Sequence, residues 1–130
     1  MQEQIELYQR KLKYEMDPSD LYEAFQNSTD YIAVDTRKAS GYNKEHIPSS
    51  INLPHRDMTE ESTQHLDKSK IYVCYCDGIG CNASTKGALK MTKLGFKVME
   101  LIGGIEWWKF DGYATEGITP TEGSPFECAC

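Results

Sequence analysis

Short apolar runs alternate along this chain with longer stretches whose apolar residues recur at helical spacing. "YIAVDTR" (31–37) is apolar up to Asp35, the pattern of a strand buried on both faces. "INLP" (51–54) predicts a second short strand, stopped by proline. "KIYVCYC" (70–76) is the third and most apolar, and "KVMEL" (97–101) the fourth. Helical patterns separate them. In "DPSDLYEAFQN" (17–27), Asp17 is placed to cap a helix, Pro18 suits its first position, Asp20 lies in the first turn, and Leu21, Ala24 and Phe25 form the apolar face. "RDMTEESTQHL" (56–66) predicts a polar, weakly amphipathic helix. "STKGALKMTKLGF" (84–96) predicts another, with Ala88, Leu89, Met91 and Leu94 inward and Gly95 closing it. "GGIEWWKFDG" (103–112) predicts a short fourth helix.

The first sixteen residues place Ile5, Leu7, Tyr8, Leu12 and Met16 at mostly helical spacings, which predicts a peripheral helix. The expected organisation is therefore a helical extension over 1–16, one domain over 17–116, and a flexible tail over 117–130 rich in Gly, Pro and Thr. Strand and helix alternating in pieces of this length imply right-handed crossovers. The expected fold class is α/β, a mostly parallel sheet of about four to five strands with helices on both faces.

Charge and composition narrow the function. A net charge of −6 and a pI near 5.0 supply no basic field, so nucleic acid is not an expected partner. No stretch approaches the length of a membrane span, and "MQEQIELYQRK" lacks the apolar core of a secretory signal. A cytoplasmic protein without a membrane partner is expected. The five cysteines cluster as Cys74, Cys76 and Cys81, then Cys128 and Cys130, unlike a disulfide framework. Clustering points to chemistry.

In parallel sheets, ligands collect outside the carboxyl ends of the strands. Asp35 and Arg37 follow one such end and Cys76 another. A thiol placed there faces a loop whose N–H groups can converge on it and the positive end of a helix, which together stabilise a thiolate or another sulfur anion. Gly78 and Gly80 permit the φ > 0 conformations that aim successive amides of Asp77 to Asn82 inward, while Asn82, Ser84 and Thr85 are placed to cap the helix. Asp77 opposes a thiolate if it faces the site, so it is expected to point outward. Asp35 and Arg37 are expected to orient the loop, Arg37 through an ion pair or backbone carbonyls. Lys86, one turn into the helix, is the first cation after Cys76.

The plainer roles are weighed alongside. Cys74 lies deeper in its strand and is expected in the core. Cys81 fits loop packing and a chemical role equally well. Cys128 and Cys130 lie in "PFECAC"; joined to Cys74 and Cys76 they would give pairs spaced by one residue, unlike the usual zinc pattern, so no metal is implied. His46 is expected to be structural, and His55 and His65 solvated. Trp107, Trp108, Phe110 and Tyr113 are expected as core and lid aromatics, with one tryptophan walling the site.

Three motifs in order carry a resemblance. "VDTRKASGYNKEHIPSSINLP" (34–54), the cysteine loop, and "LGFKVMELIGGIEWW" (94–108) are similar to the single-domain rhodaneses, a sulfurtransferase family, over about residues 17 to 114. The resemblance implies the rhodanese α/β sheet. It implies that Cys76 accepts sulfur as a persulfide, that Asp77, Gly78, Ile79, Gly80, Cys81 and Asn82 bind substrate, and that Asp35, Arg37, Ser84, Thr85 and Lys86 support them. The expected partners are a small sulfane-sulfur donor and a thiol or cyanide acceptor, with no cofactor.

Three departures stand out. Cys81 occupies the position of the family's loop arginine, the loop is about two residues longer, and no arginine follows Cys76. Glu45, Ser49 and Ser50 stand where the family often has glycine and Gly-Ala. Related phosphatases and arsenate reductases clamp their oxyanion with a loop arginine, so phosphatase chemistry is not expected. The competing class is a non-catalytic binding or redox-sensing module that uses the Cys76 and Cys81 pair.

Overall fold

The computed structural model describes residues 1–123. Cys128 and Cys130 lie outside the described residues. Five strands form one sheet, β1 (Glu15–Met16), β2 (Tyr31–Asp35), β3 (Ile51–Asn52), β4 (Ile71–Tyr75) and β5 (Lys97–Leu101), in the order β1-β5-β4-β2-β3. All neighbouring pairs are parallel. The helices are α1 (Gln2–Tyr14), α2 (Pro18–Asn27), α3 (Ala39–Lys44), α4 (Glu60–Thr63), α5 (Ala83–Lys93) and α6 (Gly104–Phe110).

Both faces of the sheet are covered, which is why its central strands read as unbroken apolar runs. Val73 and Tyr75 of β4 join Leu21, Ile105 and Trp108 on the side of α2 and α6. Tyr72 and Cys74 turn the other way, toward Met91, Phe96 and Met58. Burying a large apolar side chain in this way stabilises the fold by about 1.5–3 kcal/mol. The register sets Val34 beside Cys74 and Asp35 beside Tyr75, so β2 and β4 end at one level.

The helix starts follow local chemistry. Asp17 accepts from the Asp20 N–H while Asp20 accepts from the Asp17 N–H, a reciprocal cap behind Pro18. At the end of α5, Gly95 takes φ 93, its N–H meets the Thr92 carbonyl, and the Phe96 N–H meets that of Met91. This is the glycine-closed helix end expected from the sequence.

Several expectations change. The N-terminal helix stops at Tyr14, and Glu15–Met16 instead pairs with Glu100 and Leu101 as an edge strand. The helix expected over 56–66 is a 3-10 turn at His55–Asp57 followed by the short α4. Thr59 caps α4 through the Ser62 N–H, and Ser62 binds back to the Asp57 carbonyl, which starts a new helix inside the expected one. The helix α3 was not expected. Within the tail, Ile118 and Thr119 donate to the carbonyls of Asn43 and Lys44, and Thr121 donates to Glu45, so its first residues are fastened to the domain. Among the described residues, no helix is long and apolar enough to cross a membrane.

Candidate functional site

Cys76 follows β4 directly and is almost fully buried. The loop after it ends at Asn82, whose carbonyl receives the Lys86 N–H and so opens α5. The N–H groups of Ala83, Ser84 and Thr85 thus form the partnerless first turn of that helix. Within the loop, the Cys81 N–H meets the Gly78 carbonyl, whereas the N–H groups of Asp77, Gly78, Ile79 and Gly80 have no protein acceptor among the described residues; contrary to expectation neither Gly78 nor Gly80 takes positive φ, because the turn closes with ordinary backbone angles. Donors without acceptors beside a helix N-terminus favour a bound negative charge.

The loop is held from below by α6. The N–H groups of Ile105 and Glu106 donate to the carbonyls of Cys76 and Asp77, at 3.0 and 2.8 Å. Gly104 makes this approach with φ 60, and a side chain there would run into the Cys76 carbonyl. From the side, Arg37 ties three segments together. Its guanidinium pairs with buried Asp35 at 2.7 Å, with Asp77 at 3.0 Å, and donates to the Glu45 carbonyl at 2.6 Å. Burial opposes the charge, but the two carboxylates keep Arg37 more firmly protonated than usual. The Asp77 side chain is 72% exposed and engaged with Arg37.

Cys76 and Cys81 are joined by a disulfide, with their Cα atoms 6.1 Å apart. Cys74 is a free, fully buried thiol, pushed up to about 12 by burial and by Glu100. Ser84 and Thr85 do not cap α5. Both hydroxyls donate to Glu100 on β5, at 2.9 and 2.7 Å, because a strand carboxylate lies within reach of the first turn. Lys86 is exposed.

Two cavities meet at the disulfide. One, of about 370 Å³, is lined by Cys76, Cys81, Thr36, Arg37, Lys38 and Arg56, among others. The other, of about 210 Å³, runs along Gly78 to Asn82 and the turn at Gly103–Gly104. Neither is lined by a tryptophan: Trp108 is buried on Phe25 and Tyr113, and Trp107 packs on Phe110. The wall expected from an aromatic is made by polar and charged residues instead.

His55 also departs from expectation. It is half-buried in the wall of the larger cavity, its carbonyl accepts from Lys90 at 2.8 Å, and its Nδ1 is buried without a partner. Burial, then Lys90, Lys86 and Arg56, shift it toward the neutral form. His65 is exposed. His46 directs Nδ1 at the Tyr42 carbonyl and stacks on the Tyr42 ring. No local pattern signals Lys38, His55 or Arg56 at the cysteine, because all three arrive through the ends of other strands.

Comparison with known proteins adds an independent line. The family model described as Rhodanese-like domain matches residues 17–111. A protein of known structure from Bacillus halodurans is similar at 38% identity and a TM-score of 0.88, with 98% of this chain and 94% of that one covered. The thiosulfate sulfurtransferase GlpE of Pseudomonas savastanoi pv. phaseolicola is 31% identical over 80 residues, which are 60% of this chain and 72% of that protein. The tRNA sulfurtransferase of Thermoplasma acidophilum is 42% identical over 55 residues, 42% of this chain and 10% of that protein. The chain spans between 10% and 72% of the length of the curated relatives it matches.

Proposed function

Because the chain belongs to the rhodanese-like domain family, we propose that it is a cytoplasmic sulfurtransferase in which Cys76 takes a sulfane sulfur as a persulfide and yields it to a thiol. The observation that carries this reading is the position of Cys76 at the carboxyl end of β4, under a loop whose amides lack acceptors and beside the first turn of α5. The names of the sulfurtransferase relatives support it.

The chemistry closes on sulfur alone. The reduced Cys76 thiolate attacks the sulfane sulfur of thiosulfate, the S–S bond of the donor breaks, sulfite leaves with the electron pair, and Cys76–S–S⁻ remains. An acceptor thiolate then attacks the outer sulfur, leaves as a persulfide anion, and regenerates the Cys76 thiolate. The charge is on Sγ in the thiolate and on the outer sulfur in the persulfide, and amides that converge on this end of β4 stabilise the reactant and the intermediate alike. Gly78, Gly80 and Asn82 contribute backbone to this cradle, and Arg37 and Asp35 position it.

The Cys76–Cys81 bond supports a second reading. A disulfide has no thiolate to offer, so sulfur transfer requires reduction of this pair, as a reducing cytoplasm provides. In a redox-sensing module the pair itself would be the function. Intact mass decides the first reading: the reduced protein should gain one sulfur atom from thiosulfate, a small persulfide or mercaptopyruvate, and Cys76→Ser should not. A gain retained in Cys76→Ser would remove Cys76 from the role. For the second reading, peroxide should consume two thiols reversibly in a protein that turns over none of these donors.

A further inference from the structure

The helix α1 has 13 residues, none of them buried. Ile5, Tyr8 and Leu12, with Met1 at the N-cap, recur along it at spacings of four, three and four, which puts them on one narrow stripe. The stripe is exposed throughout, from 44% at Ile5 to 96% at Met1. Leu7 and Tyr14 lie on the opposite side of the helix, and Tyr14 lines a groove shared with Leu89 of α5 and Val98 of β5. That side faces the domain, so the stripe faces away from it. A helix this short is marginal in water unless an apolar face is packed, and nothing among the described residues buries this one.

The charges along α1 are segregated. Glu3 and Glu6 occupy its first half, and Arg10, Lys11 and Lys13 its second. Lys11 pairs with Glu15 at 2.9 Å, whereas Glu3, Glu6, Arg10 and Lys13 have no ion-pair partner among the described residues. Such a helix complements a copy of itself turned end for end, because the acidic half then meets the basic half and the two helix dipoles oppose. Two copies running in the same direction would set like charges level.

We propose that α1 is a homodimerisation element that pairs antiparallel with α1 of a second copy of this chain across a two-fold axis. Turned about the midpoint of the stripe, Ile5 meets the partner's Tyr8 and Met1 meets the partner's Leu12, so every apolar residue of the stripe gains an apolar counterpart. Glu3 comes level with the partner's Arg10, and by symmetry each contact occurs twice. A lipid surface fits less well, since anionic headgroups favour a polar face that is basic throughout, and α1 begins with two acids. Two helix faces of about 20 Å each cover less than the roughly 1,200 Å² at which stable interfaces begin. The dimer is therefore weak, with a dissociation constant on the order of 10–100 µM.

Sedimentation equilibrium of the full chain, kept in reductant so that no disulfide links two copies, tests this. Between about 5 and 500 µM the mean mass should rise from 14.8 kDa toward twice that value. Ile5→Gln/Leu12→Gln should stay monomeric over the whole range, with an unchanged urea midpoint in dilute solution because both side chains are exposed. Glu3→Lys/Glu6→Lys should weaken association about tenfold or more at low salt. Adding Arg10→Glu/Lys13→Glu to that variant should restore most of the loss, because the acidic and basic halves have then only changed places. A dimer that survives Ile5→Gln/Leu12→Gln would overturn the proposal, and a fourfold charge variant no better than the double one would overturn the antiparallel pairing. A parent that stays monomeric at every concentration would overturn it too, and binding of that monomer to phosphatidylserine vesicles would assign the stripe to a lipid surface instead.

Discussion

Ser49 is the only non-glycine residue among the described residues with positive φ, at 64°. That conformation crowds Cβ against the backbone and costs an L-residue about 1–2 kcal/mol. It is exposed, and its N–H donates to Glu116 Oε1 at 3.2 Å, a bond that glycine would keep. Ser49→Gly is therefore expected to stabilise the protein by about 0.5–1 kcal/mol once the greater freedom of the unfolded glycine is subtracted. A urea midpoint that stays put or falls would show that the serine hydroxyl contributes more than the strain removes. The residue was noticeable in the sequence because the family often places glycine there. Cys76, Asp35 and Arg37 were legible for a different reason, since each ends or follows an apolar run. His55 and Arg56 were not, because proximity to Cys76 is created by the parallel crossover and leaves no local pattern.

The cysteine loop is joined directly to α6. Two N–H groups at the start of α6 satisfy the carbonyls of Cys76 and Asp77, and Gly104 allows the chains to touch. Gly104→Ala adds a methyl against the Cys76 carbonyl at φ 60, combining a steric clash with backbone strain. The expected loss is about 2–4 kcal/mol in denaturant unfolding, with slower persulfide formation as the amides of the loop are displaced. Gly80→Ala is the matched control. Nothing lies within 4 Å of its added Cβ, so a change within about 0.5 kcal/mol is expected. Equal losses in both would show that the loop tolerates no side chain anywhere, and that α6 is not the cause. Elements with strong periodicity, such as α5 and β4, were readable from sequence. β1 was hidden because a two-residue strand has no period, and α4 because the Thr59 cap lies inside a polar stretch that reads as continuous helix.

At the scale of the whole molecule, one carboxylate closes the C-terminal segment onto the domain. Glu45 receives hydrogen bonds from Thr115 and Thr121 and pairs with Lys109 at 2.9 Å, joining the end of α3 to α6 and to residues 70 and 76 positions away in sequence. Burial alone would raise its pKa, but these hydrogen bonds and the lysine charge outweigh it and hold the carboxyl at about 2, against 4.5 ordinarily. The unfolded chain therefore binds this proton before the folded one does. The stabilisation is complete above about pH 4.5 and is lost as pH falls through that value toward about 2, where Glu45 protonates in the fold as well. Since the carboxylate is only partly withdrawn from water, its share is on the order of 1–2 kcal/mol. Glu45→Gln should accordingly lower stability at pH 7 and flatten the dependence between about pH 4.5 and 2, while leaving the slope above pH 5 unchanged. Hydrogen exchange supplies the spatial part: in Glu45→Gln the Thr115 and Thr121 amides, both engaged in the clasp, should exchange faster than those of β4. If the acid slope survives the substitution, other carboxylates carry it. If the two amides keep their protection, the backbone pairing of His46 with Glu116 holds the segment without help from Glu45.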